Sequence, residues 1–102
     1  EFKKEIIESN NLSLVQFNLE WSGACQIISP VYEELASSYD GSVNFFTVDV
    51  EKETGLDDEY GIIELPTILF FKSGKIIDHL VGLASRATII RKIENAMSAI
   101  NN

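Results

Sequence analysis

Hydrophobic and polar positions along the chain change period from block to block. Residues 2–9 place Phe2, Ile6 and Ile7 on one side of a short helix, with Lys3, Lys4 and Glu8 elsewhere. Asn10-Asn11 stops it, because asparagine tolerates turn conformations. Ser13 to Leu19 alternates Leu14, Gln16 and Asn18 with Val15, Phe17 and Leu19, the pattern of a strand with one strongly apolar face. From Ala24 to Tyr39, the residues Ile27, Ile28, Val31, Tyr32, Leu35 and Tyr39 recur at spacings of three and four, which predicts an amphipathic helix ended by Asp40-Gly41. Pro30 lies inside it and is expected to kink it, since proline removes one backbone donor. Val43 to Val50 is β-rich and reads as a second strand. Lys52 to Tyr60 reads as a short acidic helix closed by Gly61. Thr67 to Lys72 is an apolar strand, and Lys75 to Val81 returns as its hairpin partner across Ser73-Gly74. Ser85 is a candidate N-cap for a last helix whose apolar side is Ile89, Ile93, Met97 and Ile100.

The resulting order is α-β-α-β-α-β-β-α. Its first βαβ unit should be parallel and right-handed, and its closing hairpin antiparallel. The expected fold class is therefore α/β, a mixed central sheet of about four strands flanked by helices on both faces. No repeat, low-complexity stretch or linker interrupts the pattern, so residues 1–102 are expected to form one domain.

Composition narrows the function classes. At 102 residues, with 45% apolar and 24% charged positions, the chain can build its own core. Eight basic side chains against sixteen acidic ones give a net charge of −8, which repels phosphate backbones and anionic lipid and argues against nucleic-acid or membrane-surface partners. One cysteine, Cys25, cannot form an internal disulfide, and Cys25 with the single histidine, His79, is too small a set for a zinc site. No metal or other cofactor is expected. No apolar run approaches the ~20 residues of a membrane span, and no secretory signal opens the chain. A lone cysteine suits the cytoplasm, although the chain begins at Glu1 rather than Met, which leaves room for residues ahead of it. A monomer is expected.

Candidate chemistry concentrates in Trp21-Ser22-Gly23-Ala24-Cys25, with Pro30 five residues on, where the first strand ends and the long helix begins. Strand ends that face a helix N-terminus are common ligand positions in α/β folds. A thiol in that first turn meets the helix dipole and free backbone N–H groups, which favour a thiolate. Two readings of Cys25 stand: a small buried hydrophobe, or a slowly reactive thiol. Ser22 carries a hydroxyl far too weakly acidic to ionise and has no base beside it in the pattern. It reads as an N-cap worth ~1 kcal/mol to the helix, or as a hydrogen-bond donor to a thiolate or carboxylate. Trp21 reads as a packed core residue or as part of an exposed rim.

Here the chain resembles the thioredoxin family. That family's motif is Trp-Cys-Gly-Pro-Cys after an apolar strand, a helix proline five residues past the second cysteine, a cis-proline before threonine some forty residues on, and a hairpin ending in Val-Gly. The matching residues are Trp21 to Cys25, Pro30, Leu65-Pro66-Thr67 and Val81-Gly82, and the resemblance runs from Phe2 to Ile100. It implies a thioredoxin-like fold, a cis bond at Pro66, and a groove in which the residue before the proline pairs with an extended peptide. It also implies that Trp21, Gly23, Ala24, Leu65, Pro66, Gly82 and Leu83 line that groove, with Val81 beside them, and that the partner is a polypeptide or a thiol-containing protein. The family's first strand has no counterpart, because Phe2 already matches its first helix.

Three departures bear on activity. Ser22 stands at the nucleophilic cysteine's position, leaving Cys25 alone at the resolving one. Gln16 stands where the family buries an aspartate that moves protons to and from the resolving thiol, and Thr47 replaces a lysine often found beside it. Disulfide exchange needs a thiolate, so the expected function is a degenerate Ser-x-x-Cys site that binds a partner without full dithiol turnover. The alternative is a protein-disulfide oxidoreductase working through Cys25, either as a monothiol or with Ser22 an engineered replacement of cysteine. A structural module of a longer protein is a third reading. Other signals are weaker. His79 reads as a solvent-facing edge residue. The acidic run from Asp49 to Glu59 fails the calcium-loop pattern, with Thr54 at position six and Tyr60 at position twelve, and reads as a solvated face. Asn11-Leu12-Ser13 matches a glycosylation triplet of the kind that arises by chance.

Overall fold

A computed structural model describes residues 2–101. In chain order the elements are α1 (Phe2–Glu8), β1 (Leu12–Asn18), α2 (Gly23–Ser38), β2 (Val43–Asp49), α3 (Leu56–Glu59), β3 (Thr67–Lys72), β4 (Lys75–Val81) and α4 (Arg86–Asn101). The strands form one sheet in the order β2-β1-β3-β4. β1 runs parallel to β2, from Leu12 opposite Val43 to Asn18 opposite Asp49. It runs antiparallel to β3, with Phe17 opposite Thr67. β3 and β4 form an antiparallel hairpin with a register shift between Phe70 and Phe71. The mixed α/β architecture is the one the pattern implies.

Two apolar layers hold the sheet. On one face Leu12, Leu14, Ile68 and Phe70 meet Ile28, Tyr32 and Leu35 of α2 and Ile89 and Ile93 of α4. On the other, Val15, Phe17, Leu69 and Phe71 pack with Ile6 of α1, and Leu56 and Tyr60 close the layer. β1 is thus buried on both faces and bonded on both edges. Ser13 and Gln16 go inside with it, so the expectation of a single apolar face is corrected: a central strand under two helical layers has no polar side.

Other expectations need correction too. Ile7 and Ile27 belong to the apolar sides that the pattern gives α1 and α2, yet both are exposed. Ile7 instead lies over the β3–β4 turn, its Cγ1 3.1 Å from where a Cβ on Gly74 would sit. The buried stripe of α2 is Cys25, Ile28, Tyr32 and Leu35, one residue off the pattern's leading edge. α2 runs through Pro30 without a break; Pro30 is exposed, so water can reach the carbonyl it leaves unpaired. The acidic helix shrinks from Lys52–Tyr60 to the single turn Leu56–Glu59, because residues 51–55 have nothing apolar to bury. The Phe2 and Ile100 side chains lie outside the described residues.

Candidate functional site

The register sets three segments at one end of the sheet. Phe17 near the end of β1 faces Thr67 at the start of β3, which faces Val81 at the end of β4. Residues 19–25, 64–66 and 82–84 therefore leave the sheet together. The β1–α2 turn brings the Leu19 N–H to Cys25 Sγ at 3.4 Å, and the sulfur side chain is only 1% exposed. Ser22 takes the N-cap position in extended conformation (φ −75°, ψ 130°), and its carbonyl accepts the Gln26 N–H at 2.9 Å. Its hydroxyl makes no cap bond, which corrects the expectation that this side chain caps the helix. Half-buried Ser22 has no hydroxyl partner among the described residues. Trp21 is 69% exposed, so it belongs to a rim and not to the core, and its indole N–H donates to Glu51.

Opposite this turn the Leu65–Pro66 peptide bond is cis. The Gly82 N–H donates to the Pro66 carbonyl at 2.7 Å, and the Thr67 hydroxyl donates to the Glu64 carbonyl at 2.6 Å. Among the described residues neither backbone group of Leu65 has a hydrogen-bond partner. Pro66 and Gly82 are buried, Leu65 and Ala24 half-buried, and Gly23, Val81 and Leu83 exposed. The expected groove residues thus divide: Pro66 and Gly82 contribute backbone, while Trp21, Gly23, Ala24, Leu65 and Leu83 contribute surface. Gly82 adopts φ +83°, a left-handed conformation that favours glycine, and the flexible Glu64 side chain lies over it, with Oε2 2.6 Å from where a Cβ would sit.

A family model described as Thioredoxin matches residues 1–95. The chain is 36% identical over 93 residues to a thioredoxin of Chlorobaculum thiosulfatiphilum, spanning 91% of this chain and 86% of that one. It is 32% identical over 93 residues to thioredoxin 1 of Nostoc sp., spanning 91% and 87%. Against the M-type chloroplastic thioredoxin of Chlamydomonas reinhardtii it is 34% identical over 97 residues, spanning 95% and 69%. The chain belongs to the thioredoxin family. It is therefore of the thiol-disulfide redox class, in which a protein thiol is the natural counterpart, yet this thioredoxin-family chain holds one cysteine.

Gln16 and Thr47 are cross-strand neighbours on β1 and β2. Gln16 is buried and its Nε2 has no hydrogen-bond partner among the described residues. Thr47 is exposed and borders a cleft of about 390 Å³ that also touches Asn18, Cys25, Ser29 and Asp49. Among the described residues no cluster of histidine, cysteine and carboxylates could hold a metal ion, and no helix is long and apolar enough to cross a membrane. His79 is exposed on the edge strand and does not approach Cys25. Sequence reasoning missed two side chains at this thioredoxin-family site. Glu51 holds Trp21 from thirty residues away, and no local pattern announces such a contact. Glu64 folds over Gly82; its place next to Leu65-Pro66 was the available signal.

Proposed function

We propose that the chain binds an extended polypeptide or a thiol-containing protein at the groove beside Leu65-Pro66, without full dithiol turnover. The observation that carries this reading is the state of the two motif positions: the reachable one, Ser22, bears a hydroxyl, and the one bearing sulfur, Cys25, is buried. In dithiol turnover a first thiolate attacks the partner's disulfide and forms a mixed disulfide, and a second thiolate displaces it. A hydroxyl cannot perform the first step at neutral pH. The unpartnered backbone of Leu65 and the exposed Trp21 and Leu83 support strand addition. A few hydrogen bonds at ~1 kcal/mol each, with modest apolar burial, support micromolar or weaker binding. The net charge of −8 favours basic or neutral segments and makes binding salt-sensitive. In this reading the chain acts as one domain and a monomer, in a reducing compartment such as the cytoplasm.

The test is reduction of insulin with dithiothreitol as electron source, alongside an NMR titration with a blocked extended peptide. Reduction should stay at background while the amides of Leu65, Gly82 and Leu83 shift. A reduction rate within about tenfold of a two-cysteine thioredoxin overturns the reading. One observation favours the alternative, an oxidoreductase working through Cys25: the 390 Å³ cleft reaches that residue from the Thr47 side. Iodoacetamide separates the two. Slow labelling of Cys25 in the folded state and fast labelling in urea support the binding reading; equal rates support the monothiol.

A further inference from the structure

Beside the groove lies a second cleft, of about 420 Å³, between the loop after α3 and the edge strand β4. Tyr60, Ile62, Ile63, Ile76 and Val81 give it apolar walls, and Glu64 stands where it adjoins Leu65-Pro66. Ile63 is 99% exposed and Val81 50%, so this apolar surface faces solvent. Thr67 fixes the Glu64 carbonyl at 2.6 Å, and the side chain turns back so that Oε2 overlies Gly82. No cation is paired with Glu64 among the described residues, and Lys3, which lies 5.8 Å from the centroid of the Tyr60 ring, is engaged by Glu59 at 2.6 Å. An apolar trough with one uncompensated carboxylate at its mouth matches a side chain with a long aliphatic stem and a cationic head.

We propose that this cleft takes an arginine or lysine of the bound polypeptide, and that Glu64 is the residue that selects it. The inference rests on the groove reading above and adds the chemistry of the partner. A strand added at Leu65 carries alternate side chains to one side, and Glu64, next in the chain to Leu65, is where a side chain would pass from groove to cleft. Glu64 is exposed and its backbone bond to Thr67 does not involve the carboxylate, so its replacement leaves the fold intact.

The probe is a blocked peptide of alternating valine and serine carrying arginine, norleucine or glutamate at one position, titrated by NMR at low salt. The arginine peptide should bind about fivefold more tightly than the glutamate peptide, the range expected of an exposed charge pair. Glu64→Gln should bring the two within about twofold, Glu64→Lys should reverse the order, and Asp40→Asn, before β2 at the opposite end of the sheet, should leave the preference in place. The inference is overturned if the wild-type chain does not discriminate, or if Glu64→Gln discriminates as well as wild type. A norleucine peptide that binds while discrimination is absent overturns only this inference. A norleucine peptide that leaves the Leu65, Gly82 and Leu83 amides unmoved overturns the groove reading, and this inference falls with it.

Discussion

At Ser22 a single atom separates two chemistries. Oxygen in place of sulfur leaves a group that cannot become the attacking anion, and Gln16, at the position of the family's buried aspartate, carries an amide that does not ionise. Restoring both should restore turnover stepwise. Ser22→Cys is expected to form a disulfide with Cys25 and to reduce insulin measurably but more slowly than two-cysteine relatives. Adding Gln16→Asp should raise that rate further, and a double variant no faster than the single one contradicts the role given to Gln16. The amide has a cost of its own. Nε2 of Gln16 is buried without a partner, and leaving such a donor unsatisfied costs about 1–3 kcal/mol. Gln16→Leu removes the donor at similar size and should raise the stability measured by urea denaturation by about 1 kcal/mol. A loss of stability would mean that the amide is paired in solution.

The elements are joined by a few polar stitches through an otherwise apolar interior. Tyr32 of α2 donates its hydroxyl to the Phe46 carbonyl at 2.6 Å, with the Leu14 carbonyl 3.0 Å away, so one side chain ties the helix to β1 and β2. Burial holds the phenol protonated well beyond the ordinary tyrosine range, which keeps it a donor at any working pH. Tyr32→Phe should cost about 1 kcal/mol, read from the urea midpoint, without altering partner binding. Between α4 and β4, Lys92 pairs with Asp78 at 3.1 Å. Burial pushes the Asp78 carboxyl up, but the His79 N–H and the Lys92 ammonium outweigh it and hold the group below its usual value of 3.8. A lowered carboxylate stabilises the fold above its unfolded value and loses that contribution as pH falls through the folded one. Lys92→Met should therefore lower stability by about 0.5 kcal/mol near neutral pH, with the difference fading as acid protonates Asp78 below its usual 3.8. Equal differences at neutral and acid pH would show that the lysine acts through packing alone. Legibility followed the same division. Strands β3 and β4 and the Ser85 start of α4 were readable because turn residues and apolar runs bound them locally; the Ser85 hydroxyl accepts the Thr88 N–H as a cap should. The exposure of Ile27 and Ile7 was not readable, since it depends on which neighbours the sheet supplies. The cis bond at Pro66 followed from the family resemblance, not from local periodicity. Whether Ser22 capped the helix was a matter of side-chain rotation, which no spacing encodes.

For the molecule as a whole, charge and topology point in one direction. Sixteen acidic side chains against eight basic ones leave a field that disfavours self-association and favours cationic partners. Raising salt from low to physiological should weaken peptide binding at the groove. The topology adds a consequence for motion. β1 is flanked by strands on both edges and covered by helices on both faces, whereas β4 lies at the margin with most of its side chains in solvent. In deuterium exchange the amides of Leu14 to Phe17 should be among the last to take up label, with an opening free energy equal to that of global unfolding, and β4 should label much earlier. Cys25 hangs from the end of that slow strand through the Leu19 N–H, while Val81 and the Gly82 wall of the groove sit at the fast one. A polypeptide bound as proposed would meet a rigid jaw and a compliant one, and the compliant side could adjust to different segments while the buried sulfur kept its place.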